Sequence, residues 1–204
     1  MGQGSRVLFI VLIGAIVWGI VWAIIVFQPP SWLFPLVFVV IFLFYSNTLR
    51  ERVPLYLSNR TTWAALSEVL KDEPVPKDVR PRFIDLGCGL GGAVAYLARS
   101  HPNWDVVGVE TAPGPYLISK LRVAFLPNAA VRFQSLWAVD LGGFNMAYAF
   151  LSPAPMDRLC LKVDQQMPKG AFFISNSFWA DGVAFDQEVF VNDRRESHLI
   201  CKRL

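Results

Sequence analysis

The sequence carries few charged residues for its length. Of its 204 residues, 17% are charged and 54% are hydrophobic, and the mean hydropathy is +0.41. Soluble domains typically contain about 25% charged residues. The deficit is local, because the first 48 residues contain one charged side chain, Arg6, and 33 apolar ones. This composition excludes a wholly soluble protein and a disordered one, and it indicates a membrane anchor followed by one globular domain.

Cysteine and runs of like charge are also scarce. Three cysteines, Cys88, Cys160 and Cys201, stand far apart and form no CxxC pair. This spacing excludes a disulfide scaffold, gives no metal signature and is typical of reduced thiols in a cytoplasmic domain. The net charge is only +3, and no run of five like charges occurs. We therefore expect no nucleic-acid partner.

The N-terminal part predicts a membrane anchor at residues 1–48. Residues 7–27 are apolar apart from two glycines, and as a helix they would cross a hydrocarbon core about 30 Å thick. The alternative is a cleaved signal peptide, but its apolar region would be only about 7–15 residues long. Residues 32–49 predict a second helix, which either completes a transmembrane hairpin or forms a re-entrant or interfacial segment.

The basic residues around these segments indicate an orientation. Arg6 precedes the first predicted helix, Arg50 and Arg52 follow the second, and the turn between them is uncharged. The positive-inside rule then places both ends in the cytoplasm. We expect the domain to face the cytoplasm from the inner membrane, with the lipid bilayer as a partner.

The rest of the chain alternates between short strands and helices. A pre-core segment at 49–81 contains one amphipathic helix, predicted at 61–71 and capped by Ser58 or Asn59. Helices are then predicted at 91–100, 117–126 and 156–167. Strands are predicted at 82–86, 104–110, 131–133, 145–151, 171–175, 188–192 and 197–202.

This alternation indicates βαβ units around a parallel sheet. The last two strands are joined by a short turn and must be antiparallel, because a parallel pair needs a longer crossover. The fold class predicted for 82–204 is therefore an α/β, Rossmann-like sheet that is mainly parallel and ends in an antiparallel pair.

A glycine-rich motif follows the first predicted strand, where residues 83–92 read FIDLGCGLGG. Its glycines satisfy GxGxxG between a strand and a helix, as nucleotide-binding folds require. Asp85, just before the first glycine, would repel a pyrophosphate but suits a cationic ligand. Glu110 ends the second strand, where an acidic side chain accepts hydrogen bonds from ribose hydroxyls. The dehydrogenase alternative would use a nicotinamide dinucleotide.

These residues resemble the class I S-adenosylmethionine-dependent methyltransferases. The resemblance implies S-adenosyl-L-methionine as the cofactor, and it extends to the final antiparallel pair. Glu110 matches the acidic residue that binds the ribose hydroxyls. The stretch 134–137 lacks the family's acidic residue at the adenine, so adenine contacts would come from the backbone and from stacking, with Trp137 as a candidate. The first motif, an acidic residue followed by GxGxG, matches Asp85, Gly87, Cys88, Gly89 and Gly91.

The order of segments also resembles small membrane-anchored protein-lysine methyltransferases. Two apolar helices, a tyrosine-containing segment and a helix precede the core. Of the pre-core Tyr-Val-Pro-Thr motif only Tyr56 matches, and it becomes a candidate cofactor-binding residue. The resemblance implies a lysine amine of a membrane protein as the acceptor. The alternatives are methylation of a lipid or quinone, and a non-catalytic cofactor-binding module of a membrane complex.

The loop after the fourth strand should face the methyl group, because ligands bind at the carboxyl ends of parallel strands. Its residues 152–155 read SPAP, which half-resembles the [DNS]-P-P-[YFW] signature of amino methyltransferases. Ser152 and Pro153 are therefore candidate catalytic residues that position the acceptor, and a rigid turn is the alternative. After the fifth strand, Phe178 and Trp179 could wall an acceptor pocket or cover the sheet edge.

Overall fold

The computed structural model describes residues 15–16, 18–20, 22, 26–51, 56–71 and 79–204. It has two compact units, residues 1–40 and 41–204. The helices are α1 (Leu33–Glu51), α2 (Arg60–Lys71), α3 (Gly92–Ser100), α4 (Pro113–Val123) and α5 (Met156–Gln166). The strands are β1 (Arg82–Leu86), β2 (Asp105–Glu110), β3 (Ala129–Phe133), β4 (Met146–Ala149), β5 (Phe172–Asn176), β6 (Gln187–Val191) and β7 (Ser197–Arg203).

The helix α1 lies where the sequence predicts the second anchor helix. Its apolar side chains are largely exposed, with Phe34 at 47%, Phe38 at 68% and Phe42 at 56%. Within the described ranges, every helix is too short or too polar to cross a membrane. Most of the first predicted helix, 7–27, lies outside the described residues. The transmembrane hairpin therefore stays a prediction from the sequence.

The described strands form one sheet in the order β3-β2-β1-β4-β5-β7-β6. The first five strands in this order are parallel, and β7 is antiparallel to both of its neighbours. The predicted fold class, a mainly parallel Rossmann-like sheet with antiparallel terminal strands, is confirmed. Chain order reverses direction between β1 and β4, and this switch point opens a crevice at the carboxyl ends of the strands.

Two apolar layers cover the sheet, because strand side chains alternate between its faces. One layer joins α2, α3 and α4 to the sheet through residues such as Leu66, Leu97 and Val123. The other joins α5 through Leu159 and Val163. The cavity at the switch point, described below, is lined by residues of the first layer.

Local sequence signals explain the helix starts. Asn59 Oδ1 accepts hydrogen bonds from the backbone N–H of Thr61 at 2.9 Å and of Thr62 at 3.1 Å, so Asn59 caps α2 as predicted. The helix α4 begins four residues earlier than the predicted 117–126. Its first turn contains Pro113 and Pro115, and proline is tolerated there because those backbone N–H groups have no helical partner.

Candidate active site

The glycine loop between β1 and α3 needs backbone angles that other residues rarely adopt. Gly87, Gly89 and Gly91 have φ of 86°, 53° and 71°, and the left-handed region costs about 1–2 kcal/mol for a residue with a Cβ. Space is also tight at the end of the loop. A Cβ on Gly91 would lie 2.7 Å from Ser119 Cβ, and one on Gly92 would overlap the Trp63 ring.

The Glu110 carboxylate holds this loop in place. Its Oε2 accepts a hydrogen bond from Gly89 N at 2.9 Å. Its Oε1 accepts from Thr111 N and Ala112 N, both at 2.8 Å. The structure thus brings the acidic end of β2 onto the glycine motif, as the predicted cofactor site requires. The contact of Glu110 with a ribose stays a prediction.

The Asp85 carboxyl is buried at the base of the loop, with 3% of the residue exposed. In the strand register it lies beside Gly108 of β2 and Tyr148 of β4. Burial, followed by repulsion from Glu110, raises the pKa of Asp85 to about 8. A cationic ligand would restore the charged form, because an opposite charge favours ionisation.

A cleft opens above these residues. It encloses about 520 Å³, part of it open to solvent. Aromatic rings stand along one side: the centroid of Tyr56 lies 5.2 Å from that of Phe150 and 5.5 Å from that of Phe178. The predicted Tyr56, Asp85, Gly87 and Cys88 all line the cleft. The remaining lining residues are Leu57, Ser58, Trp63, Leu90, Gly92, Ala93, Arg122, Tyr148 and Phe150.

A hydrogen-bonded chain runs along the cleft. Trp63 Nε1 donates to Ser58 Oγ at 2.7 Å, and Asn176 Nδ2 donates to the Tyr148 hydroxyl at 2.9 Å. A bond between Ser58 and Tyr148 joins the two halves. Burial, followed by repulsion from Asp85, raises the pKa of Tyr148 well above its ordinary value. The hydroxyl therefore keeps its proton at neutral pH.

The sequence does not mark this hydrogen-bonded network as a site. Tyr148 falls within the predicted strand 145–151 and is 1% exposed, yet it also lines the cleft. The available signal is the position of Tyr148 in β4, the strand beside β1. Ser58 is predicted only as a helix cap, and Trp63 belongs to the predicted amphipathic helix 61–71.

Cys88 lies in the cleft as an unreactive thiol. The residue is 8% exposed. Burial, followed by repulsion from Asp85 and Glu110, raises the pKa of Cys88 well above its ordinary value. Because the thiolate is the nucleophilic form, this cysteine contributes shape rather than reactivity.

Gly89, Gly91 and Glu110 form or hold the glycine loop without being part of the cleft lining. Trp137, Ser152 and Pro153 do not line the cleft either. The ring of Trp137 is stacked by the Arg158 guanidinium, 4.0 Å from the ring centroid. Ser152 is buried after β4, and the Pro153 carbonyl accepts a hydrogen bond from Met156 N at 3.0 Å at the start of α5. That bond is a feature of a rigid turn. Adenine stacking by Trp137 and acceptor positioning by Ser152 and Pro153 stay predictions.

Comparison with known proteins decides the family. Residues 85–187 match the model of the ANTKMT methyltransferase domain. The chain belongs to this family. It is an S-adenosylmethionine-dependent methyltransferase, as the resemblance implied. The matched range begins at Asp85 and ends at the start of β6, so it contains the glycine loop, Glu110 and Tyr148.

Relatives of this methyltransferase are distant. The secondary metabolism regulator laeA of Monascus pilosus is 29% identical over 136 residues, which are 65% of this chain and 34% of the relative. The chain thus spans about a third of that relative.

Solved structures share the fold. An RNA methyltransferase from Salinibacter ruber, in complex with S-adenosyl-L-homocysteine, has a TM-score of 0.63 at 20% identity, covering 72% of this chain and 93% of its own. The B. subtilis M1A22 tRNA methyltransferase TrmK has a TM-score of 0.56 at 16% identity, covering 74% and 68%.

The cleft fits S-adenosyl-L-methionine. This cofactor, when bound, supplies an activated methyl group on a cationic sulfur and carries a ribose. The buried carboxyl of Asp85, whose pKa is raised by burial and by Glu110, suits a cationic ligand. The glycine loop has no side chains that would keep a ligand away from its backbone at the glycines, and Glu110 is hydrogen-bonded to Gly89 of that loop. Asp85, the loop 87–91 and Glu110 are therefore the residues that would hold the cofactor.

Proposed function

We propose that this methyltransferase is tethered to the inner membrane, faces the cytoplasm and methylates a lysine amine of a membrane-associated protein. The aromatic cluster of Tyr56, Phe150 and Phe178 is the observation that supports a lysine amine as the acceptor. The centroids of Phe150 and Phe178 lie 6.3 Å apart, and Tyr56 lies within 5.5 Å of both. Tyr56 and Phe150 also line the cleft that contains Asp85.

Aromatic walls suit a lysine side chain for two reasons. Ring faces attract ammonium groups, including methylated ones, through their quadrupoles. The aliphatic stem of lysine also packs against apolar rings while its head reaches a polar group. In this cleft the rings stand beside the hydrogen-bonded chain of Ser58 and Tyr148. An amine lying against these rings would meet hydroxyl groups next to the buried carboxyl.

The chain's contribution to methyl transfer would be placement and desolvation. A lysine amine attacks only after losing its proton, and burial among Tyr56 and Phe150 would lower its pKa. The Tyr148 hydroxyl, which accepts from Asn176 Nδ2, stays neutral and adds no competing charge. Holding an amine in line with its target can supply about 7–11 kcal/mol of the barrier reduction.

Membrane tethering rests on the N-terminal sequence. Residues 7–27 are long and apolar enough to span a bilayer as a helix, and the apolar side chains of α1 are exposed. Tethering would raise the effective concentration of an acceptor in the same membrane. The basic residues Arg6, Arg50 and Arg52 support a cytoplasmic orientation through the positive-inside rule.

The test is a search for the methylated product. Membranes containing the full chain are supplied with methyl-labelled S-adenosylmethionine, and proteins and lipids are then separated. We expect the label in protein, as methyllysine after hydrolysis. At a cofactor concentration below the dissociation constant, labelling should be at least several-fold weaker with the Gly91→Ala variant and close to the wild-type level with Gly170→Ala. Label in the lipid extract would instead favour a lipid or quinone acceptor. Cofactor binding without any labelled product would favour a non-catalytic module.

A further inference from the structure

The helix α4 exposes an apolar stripe that the fold does not use. Leu117 and Leu121 lie one above the other on the helix, and Phe125 follows just beyond its end. Their exposed fractions are 56%, 74% and 96%. Residues four apart share one helix face, so these side chains form a continuous row. Exposed apolar patches of this kind commonly mark protein or membrane contacts.

Basic residues border this stripe. Arg122 follows Leu121 on α4 and lines a cavity of about 850 Å³ that is largely open to solvent. Arg60 of α2 and Arg99 of α3 line the same cavity. None of the described residues that line that cavity is acidic; its other members are Trp63, Gly92, Ala95, Tyr96 and Ser100. Among the described residues, none of the three arginines forms an ion pair.

We propose that this face of α4 lies on an anionic phospholipid surface. Leu117, Leu121 and Phe125 would enter the boundary between headgroups and acyl chains, as the apolar faces of interfacial helices do. Arg99 and Arg122 would bind lipid phosphates, as basic residues near an anionic membrane surface do. The inference rests on the proposed membrane tether and deepens it.

Two observations favour a lipid surface as the occupant. The charged residues described in the cavity beside Arg122 are all basic, which complements anionic headgroups. The other observation is that the first turn of α4 lies close to α1. A Cβ on Gly114 would lie 2.9 Å from Phe44 Cδ2 of α1, so the apolar helix α1 approaches the start of the helix that carries the exposed stripe.

This surface would also orient the active site. Trp63, Gly92 and Arg122 line both the arginine cavity and the cleft that holds Asp85. Contact of α4 with lipid would therefore set the cleft beside the headgroups. Acceptor lysines close to the membrane surface would be the ones within reach.

The test compares two labelled positions in the full chain, reconstituted into nanodiscs. Phe125→Cys places an environment-sensitive dye on the stripe. Leu161→Cys is the matched control, because Leu161 is 61% exposed and belongs to α5, in the other layer. All three native cysteines are buried, so the introduced thiol is the one labelled. Nanodiscs contain phosphatidylcholine alone or with phosphatidylglycerol, and brominated lipids serve as quenchers.

We expect several-fold stronger quenching at position 125 than at 161. Quenching at 125 should increase in anionic nanodiscs and fall back with Arg99→Glu. Equal quenching at both positions, in a chain that stays with the nanodiscs, overturns the docking but not the tether. A chain that leaves the nanodiscs refutes the tether. In that case docking is tested on the free chain, where failure to co-sediment with phosphatidylglycerol vesicles overturns it.

Discussion

Asp193 Oδ2 accepts a hydrogen bond from Asn59 Nδ2 at 2.7 Å, although the two residues are 134 positions apart in the chain. The same oxygen accepts from Thr62 Oγ1 at 2.8 Å. Asn59 caps α2 and directly follows the segment with Tyr56 and Ser58. The Asp193 carboxylate therefore fastens one wall of the cleft to the hairpin between β6 and β7.

Replacement of Asp193 by alanine should loosen this wall. Hydrogen bonds to a charged group contribute about 1.5–3 kcal/mol, so we expect Asp193→Ala to lower the free energy of unfolding by about 2 kcal/mol at neutral pH. The control is Asp164→Ala. Asp164 pairs with Lys202 at 2.6 Å on the surface, where such pairs contribute less than about 1 kcal/mol. Equal losses from both variants, measured by denaturant unfolding, would contradict the fastening role.

The Asp193 contribution should depend on pH in a defined direction. Burial raises the pKa of Asp193, but hydrogen bonds from Thr62, Ser197 and Arg195 outweigh it and hold the pKa well below its ordinary value. A folded-state pKa below the unfolded one gives stability that is present above pH of about 4 and lost as the pH falls towards the folded value. The difference between wild type and Asp193→Ala should therefore shrink on acidification. If the difference in unfolding free energy between wild type and Asp193→Ala stayed constant down to strongly acidic pH, the pKa of Asp193 would not be lowered in the folded protein.

Gly91→Ala and Gly170→Ala separate backbone strain from crowding. Both glycines have positive φ, 71° and 82°, but a Cβ meets Ser119 at Gly91 and nothing within 4 Å at Gly170. Both variants carry the cost of a left-handed backbone, about 1–2 kcal/mol. Only Gly91→Ala should also displace the glycine loop, weakening S-adenosylmethionine binding by at least about tenfold, which corresponds to 1.4 kcal/mol. Equal affinities in a binding titration would show that the loop tolerates the clash.

Tyr148→Phe removes a hydroxyl that Asn176 needs. The Asn176 amide would lose its acceptor inside the protein, where an unsatisfied polar group costs about 1–3 kcal/mol. We expect a loss of stability in that range, and a double-mutant cycle with Asn176→Ala should show coupling between the two sites. Tyr116→Phe, on the half-buried Tyr116 of α4, should have little effect. Additive losses in the cycle would mean that the bond contributes little.

Local patterns predicted that the glycine motif and Glu110 lie close together, and the structure shows that they do. The motif follows β1 and Glu110 ends β2, so both positions are set by neighbours in the sequence and by the known geometry of parallel strands. Their contact with the cofactor stays a prediction. The pattern also predicted the antiparallel ending. It did not predict that β7 lies between β5 and β6, because hairpin strands look alike until their partner in the sheet is known.

Contacts between distant segments could not be predicted. The bond between Asn59 and Asp193 depends on how a pre-core segment meets the last hairpin, and no local periodicity reports that. The same holds for Trp137, whose ring lies against Arg158 of α5 rather than in the cleft. In each case the partner is fixed by register and packing across the sheet.

Proton release on cofactor binding tests the central claim most directly. In the free protein the pKa of Asp85 is about 8, so the carboxyl is mostly protonated at neutral pH. A cationic ligand that ionises it must release a proton, and affinity should then rise by about tenfold per pH unit up to pH of about 8 and level off above it. The measurement is calorimetric titration of the full chain with S-adenosylmethionine, in two buffers of different ionisation enthalpy.

We predict binding with release of up to one proton at pH 7, no binding of a nicotinamide dinucleotide, and weaker, pH-independent binding by Asp85→Asn. Binding without proton release, or with unchanged affinity in Asp85→Asn, would contradict a cofactor site built around the buried carboxyl.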